Sequence, residues 1–234
     1  MDGEGWATFE PFLTFTGPNV SNATRARIID DLLRERLAAD PNRRVVLIGA
    51  GFDSRAFRLT GGRWLEVDEP QVFAFKEPRL PESSAPNPLR RLAVDFATER
   101  LADRLQPYSE STRVTIIVEG VLMYLGETRI RELLQTLRTS FPRGEIICDV
   151  MTERFFNRFS RPIHEKIMEL GASFTLPERP LEAIFTDESY TQTAQMSIAQ
   201  HPTALMHMPL LVRTFVKMSR TFRDGYTIRV FVPR

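Results

Sequence analysis

Five short apolar runs recur along the chain, and the stretches between them space their apolar residues three or four positions apart. The runs fall at residues 45–48, 64–67, 91–94, 114–118 and 145–149. Helical spacing occupies residues 70–76, 98–105 and 127–140. Because the first pattern is typical of buried strands and the second of helices, their alternation predicts an α/β fold with a parallel sheet and right-handed crossovers.

The pattern of two further segments in the first half of the chain predicts a helix and a loop. Residues 22–37 repeat isoleucine and leucine at helical intervals, with Ser21 or Asn22 available as the N-cap and Pro41 beyond the end. They predict a helix that packs on the sheet. Residues 78–88 contain four prolines and few large apolar side chains. They predict an exposed loop, because proline lacks the N–H donor that helices and strands use.

The last third of the chain is less regular. Residues 155–170 place apolar side chains at helical spacing, which predicts a helical segment and is explained by core packing. Residues 190–198 and 226–232 are rich in β-branched and aromatic residues, and Asp224 with Gly225 forms a candidate turn before the second segment. We predict that the two segments are late strands forming an antiparallel pair.

Composition and charge narrow the class of protein. The chain has 234 residues, of which 42% are hydrophobic, so it can bury a sizeable core as one domain. Its 31 basic and 30 acidic residues give a net charge of +1, which provides no long-range attraction for nucleic acid or an anionic membrane. The single cysteine, Cys148, lies in an apolar run and is expected to be a buried structural thiol.

Targeting signals are not evident in the sequence. Residues 1–5 are acidic rather than basic, and no apolar run approaches the roughly 20 residues needed to cross a bilayer. We therefore expect a cytoplasmic location.

The strand at residues 45–48 ends in the sequence GAGFDSR at residues 49–55, which is typical of a nucleotide-type binding turn. Gly49 and Gly51 lack the Cβ atoms that would oppose a sharp bend and a close ligand. A dinucleotide motif requires a third small residue, but Ser54 stands there and Asp53 precedes it. This difference favours S-adenosylmethionine, which carries no phosphate, although the turn alone is equally compatible with a structural role.

Acidic residues follow three more of the predicted strands. Asp68 ends the second strand, Asp95 and Phe96 follow the third, and Glu119 and Gly120 follow the fourth. Because ligands bind at the carboxyl ends of the strands in an open α/β sheet, we expect these residues to lie side by side at one edge. Asp68, about twenty residues after the glycines, is suited to accept hydrogen bonds from ribose hydroxyls.

With these motifs in order, the chain resembles the leucine carboxyl methyltransferase family, which uses S-adenosylmethionine and includes polyketide O-methyltransferases of the tetracenomycin type. The residues that carry the resemblance are RARIIDD at 25–31, GAGFDSRAFR at 49–58, EVDEP at 66–70, VDF at 94–96 and EGVLMYL at 119–125. The resemblance implies a class I methyltransferase fold: a Rossmann-like, doubly wound, mainly parallel sheet with an antiparallel closing strand and a helical cap. It divides the single domain into a helical segment at 1–42, a cofactor-binding core at 43–150, and the cap and late strands at 151–225.

The resemblance also implies roles for individual residues in binding S-adenosylmethionine. Arg25 or Arg27 would bind the methionine carboxylate, although both could instead form the solvent face of the first helix. Glu119 would pair with the methionine ammonium group, or else act as a helix-start acid. The remaining candidates are the turn residues Gly49, Ala50, Gly51 and Asp53, the ribose ligand Asp68, the adenine neighbours Asp95 and Phe96, and Gly120. Asp53 could equally cap the following helix.

The acceptor decides whether a general base is needed. A carboxylate acceptor, with a reference pKa near 4, is already ionised at neutral pH, whereas a phenol with a pKa of about 10 needs help to lose its proton. The candidates for that help are Tyr124, His164, His201 and His207, each of which could instead be a packing residue. Methyl transfer from a sulfonium requires no metal.

Several functions remain open at this stage. The leading hypothesis is an O-methyltransferase that acts on a carboxylate or hydroxyl of a small molecule, as in polyketide-type metabolism. The alternatives are a methyltransferase of a protein C-terminal carboxylate, a nicotinamide-dependent oxidoreductase, and a cofactor-binding protein without turnover. The sequence does not predict the oligomeric state.

Overall fold

The computed structural model of the protein describes residues 10–169 and 174–234. The acidic residues at 1–5 and residue 170, the last position of the predicted helical segment at 155–170, lie outside the described residues. Among the helices that are described, none combines the length and the hydropathy that crossing a bilayer requires.

Seven strands form one sheet in the order β3-β2-β1-β4-β5-β7-β6. The strands are β1 (Arg44–Ile48), β2 (Arg63–Asp68), β3 (Leu89–Ala93), β4 (Val114–Val118), β5 (Gly144–Met151), β6 (Tyr190–Ser197) and β7 (Tyr226–Pro233). The first five pair in parallel, and β7 is antiparallel to both β5 and β6. The predicted parallel sheet with a closing antiparallel pair is confirmed.

Helices cover both faces of this sheet. They are α1 (Thr16–Ala39), α2 (Arg55–Arg58), α3 (Pro70–Lys76), α4 (Leu101–Leu105), α5 (Glu127–Ser140), α6 (Glu153–Phe155), α7 (Arg161–Glu169), α8 (Leu181–Asp187), α9 (Pro202–Leu205), α10 (Leu210–Met218) and α11 (Arg220–Asp224). A π-helical turn, Phe156–Ser160, joins α6 to α7. Short 3-10 turns lie at Glu10–Phe12, Glu82–Ser84, Gln106–Tyr108 and Leu122–Tyr124.

The central strands show why their sequences are continuously apolar. Val45 and Leu47 of β1 face one way and pack with α1, whereas Val46 and Ile48 face the other way and pack with α5. Successive side chains of a strand point to opposite faces, so a strand covered on both sides needs apolar residues at every position.

Three predictions about helices need correction. The first helix begins at Thr16, so Ser21 and Asn22 are not its N-cap. Pro18 is tolerated near the start because the N–H groups of the first turn have no helical partner. The segment predicted at 98–105 is α-helical only over Leu101–Leu105. Asp224 is the last residue of α11, so the turn predicted before β7 is confined to Gly225, a bend between that helix and the strand.

The strand directions bring several connections to the same side of the molecule. The segments that follow β1 to β5 leave from one edge of the sheet, which we call the carboxyl edge. Because β6 and β5 are both antiparallel to β7, β6 also ends at the carboxyl edge. The connection between β6 and β7, residues 198–225, therefore begins and ends there.

Cys148 lies on β5 with no exposed surface, as the sequence predicted. Burial raises the pKa of its thiol far above the usual range, and the charge of Asp149 adds to the increase. The thiolate is the reactive form, so this group is chemically inert in the folded protein.

We expect Cys148 to react with a chromogenic disulfide reagent only when the protein unfolds. Absorbance should report one thiol per chain in concentrated guanidinium chloride and almost none in buffer at the same pH. Fast reaction of the folded protein would contradict the burial of this side chain.

Candidate active site

Three glycines with left-handed backbone conformations lie at the carboxyl edge. Their φ angles are 68° at Gly49, 46° at Gly51 and 68° at Gly120. A Cβ on Gly49 would lie 2.5 Å from Cγ2 of Val121, so the turn after β1 packs directly against the segment after β4. Apart from the residues next to it in the chain, no described atom lies within 4 Å of the position that a Cβ of Gly51 would take. The backbone at Gly51 therefore faces open space, as a ligand-binding turn requires.

The carboxylate of Asp68 joins the ends of β1 and β2. One of its oxygens accepts a hydrogen bond from the N–H of Gly51 at 2.5 Å, and the other accepts from the N–H of Glu69 at 2.7 Å. The N–H groups of Gly49 and Ala50 both donate to the carbonyl of Val67. The glycine turn and Asp68 thus form one hydrogen-bonded unit.

Asp95 and Phe96 follow β3 on the other side of Asp68. The N–H of Val94 donates to the carbonyl of Asp68, which fixes the two strand ends next to each other. The carboxylate of Asp95 accepts hydrogen bonds from the hydroxyl of Thr98 and the N–H of Ala97, and these bonds lower its pKa. Asp95 is therefore an ionised acceptor in an ordered turn.

Arg25 of α1 is held at the carboxyl edge by three partners. Its Nε donates to Glu119 at 2.8 Å, and its Nη1 donates to the Tyr226 hydroxyl at 2.7 Å and to Asp149 at 3.1 Å. The hydroxyl of Tyr226 donates in turn to Asp149 at 2.8 Å, and Asp149 also accepts from the N–H of Gly120 at 2.7 Å. These bonds connect α1 with the ends of β4, β5 and β7.

Arg55, the first residue of α2, supplies a second guanidinium group to Glu119. It is buried, and its Nη1 donates to the second oxygen of Glu119 at 2.7 Å. It also bonds to Asp30 of α1 at 2.7 Å and to Asp53. Asp53, one residue before the N-cap Ser54, also accepts from the backbone N–H of Arg55 at 2.6 Å, so its carboxylate contacts the first residue of α2 and orients the arginine.

The charges in this network keep Glu119 ionised. Burial by itself would raise the pKa of Glu119, but the positive charges of Arg55 and Arg25 outweigh that effect and lower the pKa. Burial and the charge of Asp149 raise the pKa of Tyr226 well above its usual value. The edge therefore holds a fixed carboxylate next to a fixed guanidinium, with a protonated tyrosine as a donor.

Arg27, the alternative to Arg25, lies elsewhere. Its side chain is largely exposed and pairs with Asp31 one helical turn away, at 2.7 Å. Two residues correspond to about 200° around a helix, so Arg25 and Arg27 cannot share one face. The structure brings Arg25 to the carboxyl edge and leaves Arg27 on the solvent side of α1.

Four members of the network were not among the sequence candidates: Asp30, Arg55, Asp149 and Tyr226. Asp149 follows the same rule that indicated Glu119, because it is an acid near the carboxyl end of a parallel strand. Asp30 and Arg55 lie inside the motifs that carry the family resemblance. No sequence pattern indicated Tyr226, because it lies 201 positions from Arg25 and only the fold brings the two side chains together.

Tyr124 and His164 belong to an aromatic cluster beside this network. Phe174 links them, with ring centroids 4.8 Å from Tyr124 and 4.6 Å from His164, and Phe156 lies 5.1 Å from His164. Burial raises the pKa of Tyr124, so its hydroxyl stays protonated at neutral pH. Nδ1 of His164 is buried and has no hydrogen-bond partner among the described residues. Such a group calls for a polar partner.

His201 and His207 lie apart from the aromatic cluster. His201 is the N-cap of α9, and its ring accepts a hydrogen bond from the N–H of Thr203 at 3.3 Å. Burial lowers its pKa. His207 lines a small cavity between α9 and the start of α1. In the part of the chain that the structure describes, no three His, Cys, Asp or Glu side chains are grouped so as to hold a metal ion.

Comparison with known families gives a match over half of the chain. A sequence model of the family described as leucine carboxyl methyltransferase matches residues 11–138. That span contains α1, the glycine turn and the ends of β2, β3 and β4, which supply most of the site.

Curated relatives also match about half of the chain. A protein of Streptomyces coelicolor, provisionally named an S-adenosyl-L-methionine-dependent methyltransferase, is 34% identical over 142 residues, which are 56% of this chain and 45% of that protein. The tetracenomycin polyketide synthesis O-methyltransferase TcmP of Streptomyces glaucescens is 28% identical over 130 residues, 54% of this chain and 46% of TcmP. The chain thus matches less than half the length of these relatives.

Solved structures extend the likeness to most of the chain. Magnesium protoporphyrin IX methyltransferase from Synechocystis, with bound SAH, aligns with a TM-score of 0.53 and 14% identity over 90% of this chain and 84% of that one. A protein of the DUF574 family from Streptomyces avermitilis aligns with a TM-score of 0.58 and 13% identity over 92% and 83%. These likenesses show the class I, Rossmann-like fold of S-adenosylmethionine-dependent methyltransferases.

The buried ion pairs of Arg55 should contribute to the stability of the fold. Replacement of the buried Arg55 by methionine (Arg55→Met) would leave Asp30 and Glu119 without one of their partners in a site shielded from water. We expect the free energy of unfolding in urea to fall by roughly 3–5 kcal/mol, which is typical when one partner of a buried pair is removed.

Arg34→Met is the matched control, because Arg34 also pairs with Asp30 and Asp31 but is half exposed. Its loss should change the free energy of unfolding by less than about 1 kcal/mol. Equal effects of the two substitutions would show that the Arg55 network does not stabilise the fold.

Proposed function

Because the chain belongs to the leucine carboxyl methyltransferase family, we propose that it binds S-adenosyl-L-methionine at the carboxyl edge and transfers a methyl group to an oxygen of a small molecule. The observation that carries the proposal is the convergence of Gly51, Asp68, Arg25 and Glu119 on one edge of the sheet. Each supplies chemistry that a different part of the cofactor requires.

The nucleoside end would be bound by the residues after β2 and β3. Asp68 accepts two backbone hydrogen bonds and has further lone pairs with which to accept from a ribose diol. The open space in front of Gly51 leaves room for a ligand beside this carboxylate. Asp95, ionised and next in line, is suited to accept from the adenine amine, and Phe96 offers an apolar surface to the ring.

The amino-acid end would be bound by the charge network. A guanidinium binds a carboxylate in a planar, bidentate manner, so Arg25 fits the methionine carboxylate, and Glu119 fits its ammonium group. In the structure these two side chains pair with each other, and Arg25 has two further partners and Glu119 one. Asp149 and Tyr226 hold Arg25, and Arg55 holds Glu119. Arg25 and Glu119 can therefore each exchange one hydrogen bond for a bond to a ligand without changing position.

The bound cofactor would supply an electrophilic methyl group on a positively charged sulfur. The protein's contribution is therefore to hold the acceptor oxygen about 3 Å from that carbon and in line with it. The turn residues and the charge network would hold the cofactor and so the methyl carbon. The groups that bind the acceptor would hold its oxygen.

The aromatic cluster supports a flat aromatic acceptor with a phenolic hydroxyl, as in polyketide-type substrates. Aromatic side chains pack well against other rings in offset or edge-on arrangements, and the edge at Tyr124, Phe156 and Phe174 presents such surfaces. Nδ1 of His164 is the one buried ring nitrogen here without a partner among the described residues. It is suited to accept the proton of a phenol, which Tyr124 with its raised pKa is not.

Cofactor binding can be tested by calorimetric titration of the protein with S-adenosyl-L-homocysteine. We expect Asp68→Asn to weaken binding at least about tenfold, since the loss of a charged acceptor for buried hydroxyls is worth more than about 1.4 kcal/mol. Asp103→Asn, at an exposed position of α4, should bind like the unaltered protein. Binding of NAD in preference to S-adenosyl-L-homocysteine would instead indicate an oxidoreductase.

The acceptor can be tested with matched phenols and carboxylic acids and radiolabelled cofactor. We expect His164→Ala to reduce kcat for a phenol at least about 100-fold, the usual contribution of a general base. Transfer to a carboxylate should change by much less, because that acceptor is ionised already. Equal losses for both acceptors would assign His164 a packing role. Transfer only to a peptide carboxyl terminus would favour a protein substrate.

A further inference from the structure

The helix α10 carries a row of large apolar side chains that the fold does not bury. Leu210, Leu211, Phe215 and Met218 are 75%, 86%, 63% and 80% exposed, whereas Val216 is buried beneath the helix. We call these four exposed residues the α10 stripe. Leu211, Phe215 and Met218 follow the i, i+4, i+7 spacing of one helical face.

The area of this surface is unusual for a protein free in water. Four side chains exposed to this extent present on the order of 600 Å² of mostly apolar surface, at the upper limit of what monomeric proteins leave uncovered. Met206, 65% exposed in the turn before α10, adds to it. Exposed apolar surface of this size on one short helix is typical of an interaction site.

Polar contacts hold α10 in this orientation. The guanidinium of Arg213 donates to the carbonyls of Met208 at 2.7 Å and Met206 at 3.2 Å, which fixes the start of the helix. The amide of Gln200 donates to the carbonyls of Val216 at 2.9 Å and Lys217 at 3.1 Å, which fixes its end. The helix is therefore anchored with its stripe outward.

The charge around the stripe differs from that of the rest of the chain. Residues 189–223 contain no aspartate or glutamate, and their basic residues are Arg213, Lys217, Arg220 and Arg223. The remainder of the chain has 27 basic and 30 acidic residues. Arg223 pairs with Asp224, which directly follows this segment, at 2.9 Å. The positive charge beside the stripe is therefore that of Arg213, Lys217 and Arg220, on a chain whose net charge is only +1.

From this combination we propose that the α10 stripe is the docking surface for an anionic lipid bilayer. An amphipathic helix with leucine and phenylalanine on one face and lysine and arginine beside it lies in the interface of a membrane, with its apolar side chains among the acyl chains and its cations near anionic headgroups. A second copy of the chain fits less well, because a two-fold interface through α10 would bring two cationic segments together.

The helix α10 lies in the connection that starts and ends at the carboxyl edge, so membrane docking would bring the candidate site close to the lipid. Residues 198–225 connect β6 to β7 at the carboxyl edge, and Tyr226, which follows them, bonds to Arg25. A protein docked through α10 would therefore hold the carboxyl edge near the lipid surface. Apolar acceptors that partition into a bilayer could reach the site from there.

The experiment is co-sedimentation of the full chain with vesicles of phosphatidylcholine alone and of phosphatidylcholine mixed with phosphatidylglycerol. We expect binding to the anionic vesicles at low salt, with affinity that falls as salt is added. The double substitution Leu211→Ser with Phe215→Ser should weaken binding at least about tenfold, because it removes two side chains from the apolar contact. The double substitution Leu211→Met with Phe215→Leu keeps the apolar surface and should bind normally.

The cations are tested separately. Lys217→Glu should weaken binding to the anionic vesicles roughly fivefold or more, since each cation near such a surface contributes on the order of 1 kcal/mol. Arg129→Glu is the control, because Arg129 is an exposed cation of α5 outside the segment. Circular dichroism checks that each variant is folded.

Three results would overturn the proposal. The first is no binding to the anionic vesicles at low salt. The second is binding that the serine substitutions leave unchanged. The third is sedimentation as a dimer that those substitutions dissociate, which would assign the stripe to a second copy of the chain. None of these results depends on cofactor binding, so the proposed methyl transfer stands or falls separately.

Discussion

The position of Glu119 between the guanidinium groups of the buried Arg55 and the partly buried Arg25 is the interaction on which the carboxyl edge depends. One oxygen of this carboxylate binds Arg25 and the other binds Arg55. Through Arg25 it is tied to Asp149 and Tyr226, and through Arg55 to Asp53 at the glycine turn. A single carboxylate thereby sets the spacing of α1, the β1 turn and the ends of β4, β5 and β7.

Such a network is costly to bury, because each charge loses its hydration and attraction between partners only partly compensates. Apolar residues would fill the same volume more cheaply. The network is understandable if the edge must offer charges that are already oriented, since preorganised groups need no rearrangement when a charged ligand arrives. The same reasoning explains why Asp68 is fixed by two backbone N–H groups rather than left free in water.

The sequence predicted those parts of the fold and site that depend on local pattern. The parallel strands and the helices over Pro70–Lys76 and Glu127–Ser140 follow from apolar runs or helical spacing, whereas β6 and β7 follow from β-branched and aromatic content. β3 begins at Leu89, two residues earlier than predicted, because Arg90 and Arg91 interrupt its apolar residues. Asp68, Asp95 and Glu119 were predicted because each stands at or just after the end of such an apolar run. The start of α1 was wrong because a proline and polar residues concealed its first turn. Two partners of Arg25, Asp149 and Tyr226, were missed because they lie 124 and 201 positions away, and only the folded chain brings them together.

The segment between β6 and β7 shows that the net charge of a chain does not describe the charge of each part of its surface. A net charge near zero argued against an anionic surface as partner, yet charge acts locally, since fields in water decay over roughly 10 Å. Arg213, Lys217 and Arg220 belong to the helices α10 and α11 beside the stripe, whereas many of the acids, including Asp224 next to Arg223, are paired with basic side chains. Paired acids exert little outward field. A surface can therefore be cationic and apolar on a protein whose overall charge is almost balanced, and its partner has to be inferred from that surface alone.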